Sequence, residues 1–116
     1  MKPKRRKLVE VLREARRLLS RADNDFAWSS WEDAPAALRE IDGIIARIES
    51  GEMPNRSDIE LLFLPTGPIQ EVSVSSGWGQ QFLDVARRFD RAIARAYGED
   101  VFAQLDRLLP ESWRPK

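Results

Sequence analysis

The side chains of this sequence that can do chemistry are carboxylates, hydroxyls, arginines and a single tyrosine, Tyr97. Histidine and cysteine are absent, which removes the commonest general base, the thiolate nucleophile and the commonest transition-metal ligands. The four lysines occupy terminal stretches, where the burial needed for Schiff-base chemistry is not expected. The composition therefore predicts a non-catalytic protein with no cofactor.

Carboxylates cluster at Asp23-Asn24-Asp25 and at Glu32-Asp33, a grouping that invites a calcium or magnesium site. The spacing lacks the central glycine and the distal glutamate of a helix-loop-helix calcium loop. Turn formation and helix capping explain these residues better, because short polar side chains accept hydrogen bonds from nearby backbone N–H groups. No metal is expected.

The run from Phe63 to Gly79 is the one part of the chain that does not read as amphipathic helix. Its Pro, Gly and Ser residues offer backbone N–H groups for an anion, but the lysine and the glycine pattern of a phosphate loop are missing. Two interpretations stay open: a structural connector between helices, and a segment that recognises a partner.

Four tryptophans are a high number for 116 residues. A core built around indoles explains them, and so does a recognition groove, since aromatic residues are enriched at binding hot spots. If the tryptophans form a recognition groove, Trp28 and Trp31 lie beside the Pro65–Trp78 segment, and Trp28 is the most exposed of the four. The predicted partner-binding residues are Trp28, Trp31, Pro65, Thr66, Pro68, Gln70, Glu71 and Trp78.

A second hypothesis is a nucleic-acid surface made by basic faces of the first and fourth predicted helices. Interspersed acids and a net charge of zero favour salt-bridged, solvated helix faces instead. This hypothesis is therefore the alternative to protein binding. Its residues are Arg13, Arg17, Arg21, Arg88, Arg91 and Arg95.

Charge is unevenly distributed along the chain. Residues 1–22 have a balance of +7, residues 23–60 of −7, and the remainder of zero. We expect the basic first helix to lie beside the acidic middle segment, within one chain or across a homodimer.

Apolar spacing of three and four residues predicts an all-α fold. The first helix covers about residues 4–22, the second begins near the Asp33 cap and stops at Gly51, and a short third helix starts near Ser57 and ends before Pro65. The stretch 69–75 alternates like a strand, but a short helical turn is favoured because no partner strand is visible. The fourth helix runs from Trp78 to Gly98, and a last one covers about 100–109.

These elements predict one compact domain, 1–116, a bundle of about four main helices with a Pro/Gly/Ser-rich connector between the third and fourth. Residues 1–7 are interpreted as a flexible basic tail. Gly43, in the middle of the second helix, suggests a close helix contact. The predicted core residues of the bundle are Leu12, Leu19, Ile41, Ile45, Phe82, Phe89 and Ile93.

The segments 65–78, 25–33 and 82–90 together resemble small bacterial single-domain proteins of uncharacterised function. The resemblance covers about half the chain and implies a bacterial, cytoplasmic context; it brings no ligand or catalytic residue. The first 30 residues lack the apolar core of a signal peptide, and no stretch is apolar enough to span a membrane. The function predicted is that of a non-catalytic cytoplasmic domain that binds another protein, as an adaptor or an immunity-like inhibitor.

Overall fold

The protein is an all-α bundle, and the computed structural model describes residues 1–98. The predicted helix over 100–109, and Trp113, lie outside the described residues. Within residues 1–98 there is no strand. The helices are α1 (Pro3–Leu19), α2 (Ala34–Glu49), α3 (Arg56–Glu60), a 3-10 turn (Leu61–Phe63), α4 (Pro68–Ser76) and α5 (Gly79–Ala96).

The helix α1 lies between α2 and α5 and packs against both. Arg13 pairs with Glu49 and Arg16 with Asp42, so that α1 and α2 run antiparallel. The first turn of α1 lies beside Tyr97 at the end of α5, so this pair is antiparallel too. The long helices bury the apolar stripes seen in the sequence, and all seven predicted core residues are less than 5% exposed.

Local sequence signals set several helix ends. Asp33 caps α2, its side chain accepting a hydrogen bond from the Ala36 N–H at 2.9 Å. Gly51, just beyond the end of α2, and Gly77, at the end of α4, both have positive φ, a conformation that glycine adopts at little cost. The predicted helical turn within 69–75 is confirmed as part of α4.

Three expectations differ from the structure. Pro3–Lys7, interpreted from the sequence as part of a flexible tail, form the first turns of α1, where Pro3 is well accommodated because the first N–H groups of a helix have no helical partner. A Cβ placed on Gly43 would meet no atom of another element of residues 1–98 within 4 Å, so no close helix contact in this part of the chain explains the glycine. The third helix starts after Asn55, and Ser57 therefore lies inside it and does not cap it.

The first part of the predicted connector, Leu64 to Gly67, makes a tight turn between the 3-10 turn and α4; from here on, this turn is called the connector. The Gly67 N–H donates to the Leu64 carbonyl at 2.8 Å. A Cβ on Gly67 would lie 2.6 Å from the Leu61 carbonyl oxygen, so only glycine fits this approach. The turn places Leu64 and Pro65 next to α5.

Candidate functional site

Two of the predicted partner-binding tryptophans belong to the core. Trp31 is 7% exposed and its indole N–H donates to Glu40 at 2.6 Å. Trp78 is 1% exposed and donates to the Asn24 side chain at 2.8 Å. Both indoles satisfy their one donor inside the protein, so neither presents a surface to a partner. The prediction of Trp31 and Trp78 as contact residues is corrected on this ground.

Trp28 is 76% exposed, as expected, but its loop is hydrogen-bonded to the C-terminal end of the Pro65–Trp78 segment and not to Pro65. Its loop is held to the C-terminal end of α4, where the Asp25 N–H donates to the Ser76 hydroxyl at 2.8 Å. Pro65 precedes the N-terminal end of the same helix. The single patch expected from Trp28 and Pro65 is therefore divided between the two ends of α4.

The polar residues of the Asp23–Asp25 turn are engaged in local structure. Asn24 donates to the Leu18 carbonyl at 2.8 Å, and the Asp25 side chain accepts from the Ala27 N–H at 2.9 Å. Turn formation therefore accounts for these two side chains. Within residues 1–98, no group of three or more potential metal ligands comes together.

An apolar groove of about 240 Å³ opens between the connector and α5. Its floor is the stacked pair Phe63 and Phe89, whose ring centroids are 3.8 Å apart. Leu64, 41% exposed, and Leu83, 46% exposed, line it. The apolar residues of this groove are Phe63, Leu64, Pro65, Phe82, Leu83, Ala86 and Phe89.

The polar residues of the apolar groove are Glu60, Gln70 and Asp90. Glu60 accepts a hydrogen bond from Arg56 at 3.0 Å, whereas Asp90 is exposed and has no ion pair within residues 1–98. Of the predicted connector residues, Pro65 and Gln70 line the groove, Thr66 is exposed outside it, and the half-buried Pro68 and Glu71 begin α4.

A second concavity, the basic cleft, lies between α1 and α5 and measures about 560 Å³. Five of the six arginines predicted for the nucleic-acid hypothesis line it. Arg21 does not, because α1 ends at Leu19 and Arg21 follows in the exposed loop. The basic residues of this cleft are Lys7, Arg13, Arg17, Arg88, Arg91 and Arg95.

Part of the positive charge in the basic cleft is already paired. The Arg88 guanidinium donates to both Glu14 carboxylate oxygens at 2.6 Å and to Asp84 at 2.8 Å. These hydrogen bonds lower the pKa of Glu14 below its ordinary value and raise that of Arg88, in both cases against the opposing effect of desolvation. Arg88 therefore joins α5 to α1 through its ion pair with Glu14. Its buried Nε–H has no acceptor within the described part of the chain.

The remaining basic residues of the cleft are differently placed. Lys7, Arg17, Arg91 and Arg95 are exposed, and none forms an ion pair within residues 1–98. Glu10 is the other acid on the cleft wall besides Glu14. As far as residues 1–98 are concerned, these four cations are available to an external anion.

The opposite charges of the first two segments meet within one chain. Arg13 donates to both oxygens of Glu49 at 3.1 Å, and Arg16 donates to Asp42. The hydrogen bond from Arg16 lowers the pKa of the Asp42 carboxyl. These two pairs join the basic first segment to the acidic second segment within one chain, and a homodimer stays a prediction.

Sequence reasoning did not identify Leu83 as a surface residue of interest, and it covered Leu64 and Lys7 only as parts of longer segments, the Phe63–Gly79 run and the basic tail. Leu83 follows Phe82 in the pattern of α5 and reads as a simple widening of the apolar stripe. Its neighbourhood depends on the turn at Gly67, which brings the distant connector against α5. Lys7 was assigned to the tail.

Within residues 1–98, no helix is both long enough and apolar enough to cross a membrane. Comparisons with models of protein families, with curated protein sequences and with solved structures find no match for this chain.

Proposed function

We propose that this protein is a non-catalytic, cytoplasmic protein-binding domain, an adaptor or an immunity-like inhibitor, and that the apolar groove holds the partner. The observation that carries the proposal is the pair of exposed leucines, Leu64 and Leu83, above the stacked Phe63 and Phe89. These side chains leave apolar surface in contact with water. Covering that surface with a partner lowers the free energy of the system.

The size of the apolar groove favours a protein side chain over a small-molecule ligand. Its volume of about 240 Å³ is below the roughly 300–1,000 Å³ that is typical of small-molecule sites. A single aromatic or aliphatic anchor that fills a pocket is the usual centre of a protein–protein hot spot. The groove therefore suits one anchor residue and its neighbours.

The charges beside the groove indicate the chemistry of the partner. Asp90 lies on its wall without an ion pair, Glu60 is already paired with Arg56, and no basic residue of the described part of the chain lines the groove. Complementary charge steers association and sets specificity. The partner segment therefore carries an apolar anchor residue flanked by lysine or arginine.

A cytoplasmic location is part of the proposal. A chain without cysteine needs no oxidising compartment for its folding, which is compatible with the cytoplasm.

Site-specific photo-crosslinking in the native host tests the proposal. A photoreactive residue replaces Leu64 or Leu83 in the groove, and Val74 or Arg39 as exposed control positions on α4 and α2. We expect one protein to be crosslinked from both groove positions and from neither control, and its crosslinked peptide to contain an apolar residue next to Lys or Arg.

Other outcomes of this experiment contradict the proposal. Equal crosslinking from groove and control positions would mean non-specific proximity. An intramolecular crosslink from Leu83 to residues 99–116 would mean that this chain covers its own groove. A crosslink to a second copy would make the groove a self-association surface.

A further inference from the structure

The basic cleft is a second concave surface, and it lies on a different face of α5 from the apolar groove. Arg88, Arg91 and Arg95 follow one another at three- and four-residue spacing, as do Leu83, Ala86 and Asp90 on the groove side. At about 100° per residue, positions 88 and 90 point in nearly opposite directions. A ligand can therefore occupy the cleft without touching the groove.

The charge of the cleft is out of proportion to that of the protein. Six basic and two acidic residues line it, a balance of +4, whereas the whole chain has a formal net charge of zero. A concave surface lined by one sign of charge concentrates its electric field and raises the local concentration of anions.

The cations stand in two antiparallel rows. On α1 the row extends from Lys7 to Arg17, about 15 Å at 1.5 Å per residue, and on α5 from Arg88 to Arg95, about 10 Å. A chain of regularly spaced charges fits between such rows better than a single compact anion does. The planar guanidinium fork also matches the geometry of phosphate oxygens.

From these features we infer that the basic cleft binds the phosphate backbone of a single-stranded nucleic acid. Lys7, Arg17, Arg91 and Arg95 contact phosphates. Arg88 stays paired with Glu14 and joins the two walls, whereas Arg13 stays paired with Glu49 of α2. The contacts are to phosphate alone, so binding is independent of base sequence. This inference does not depend on the proposed function, because the two surfaces share no lining residue.

The salt dependence of binding gives a quantitative test. Each phosphate contact on a single strand contributes about −0.7 to the slope of log affinity against log salt. Four contacts therefore give a slope of about −2.8, which corresponds to about a fiftyfold loss of affinity between about 50 and about 200 mM salt. The probe is a fluorescein-labelled oligouridylate, and the signal is its fluorescence anisotropy.

A matched pair of double variants locates the site. Arg91→Gln with Arg95→Gln removes two cleft charges, and Arg39→Gln with Arg87→Gln removes two exposed arginines outside the cleft, so both proteins have the same net charge. We expect the cleft variant to halve the slope to about −1.4, or about a sevenfold loss over the same salt range, and the control to keep the parent slope. Circular dichroism confirms that both remain folded.

Several outcomes overturn the inference. The first is no change in anisotropy at low salt. The second is an equal loss of oligonucleotide affinity in both double variants, and the third is binding of polyglutamate as tight as that of the oligonucleotide. Uridine monophosphate should compete only weakly, since one phosphate meets one or two cations. Strong competition by the monophosphate would mean that the cleft binds a small phosphate ligand and not a nucleic-acid strand.

Discussion

Replacing Gly67 by alanine should destabilise the protein, although nothing in its backbone dihedrals requires glycine. Its φ of −84° is accessible to any residue. The added Cβ, however, would lie 2.6 Å from the Leu61 carbonyl oxygen, 3.1 Å from that of Leu64 and 3.2 Å from that of Leu62. All three are backbone atoms, so relief requires the turn itself to move.

The magnitude follows from three contributions. Forcing a methyl group into a packed region costs about 1–3 kcal/mol. Loss of the hydrogen bond from the Gly67 N–H to Leu64 adds about 1 kcal/mol. Restricting the unfolded chain returns about 0.4–1 kcal/mol. The net destabilisation is about 2 kcal/mol.

Gly43→Ala is the matched control, because Gly43 lies in the exposed middle of α2 and its new methyl group would meet no other element of residues 1–98 within 4 Å. Helix propensity predicts that this variant is more stable by about 1 kcal/mol. The assay is urea unfolding followed by circular dichroism. With a slope of about 1.5 kcal/mol/M, the midpoint falls by about 1.3 M for Gly67→Ala and rises by about 0.7 M for Gly43→Ala. An unchanged or higher midpoint for Gly67→Ala would refute the close approach of the turn.

Two further predictions concern ionisation. The pKa of Glu14 is lower in the folded protein than its ordinary value of 4.5, mainly because of its hydrogen bonds to Arg88. The ionised carboxylate therefore stabilises the fold when the pH is above 4.5. The stabilisation is lost as pH falls through the lowered pKa; Glu14→Gln should therefore reduce stability at neutral pH and make its decline in acid less steep, and parallel stability curves for the two proteins would contradict this. Burial raises the pKa of Tyr97 above its ordinary value of 10.0, and its phenol donates to the Pro54 carbonyl. As the single tyrosine, it reports directly through tyrosinate absorbance, and a titration midpoint at or below 10.0 would show that it is not buried.

Helix placement was largely predictable from sequence, because it depends on local signals. The spacing of Leu12 and Leu19, the cap at Asp33 and the stop at Gly51 each act over a few residues. Proline is harder to interpret, because it can end a helix or occupy its first turn. Pro3 starts α1, whereas the sequence predicted a start at about residue 4.

The candidate surfaces were predictable only in part, because they depend on which elements meet. The arginines of α1 and α5 were identified by type and spacing, but their convergence in one cleft required the two helices to be antiparallel neighbours. For tryptophan the sequence is ambiguous, since an indole is both a core residue and a contact residue. The hydrogen bond from Trp78 to Asn24 spans 54 positions and resolves that ambiguity in favour of the core.

Binding of a protein partner in the apolar groove can be measured as the affinity of the crosslinked partner for two aspartate variants. Leu83→Asp places a charge in the groove, and Val74→Asp places the same charge on exposed apolar surface outside it. We predict that Leu83→Asp weakens binding by about thirtyfold or more, the effect of losing a hot spot of about 2 kcal/mol, and that Val74→Asp leaves it unchanged. Equal affinity of Leu83→Asp and the parent protein, with both folded, would contradict the account.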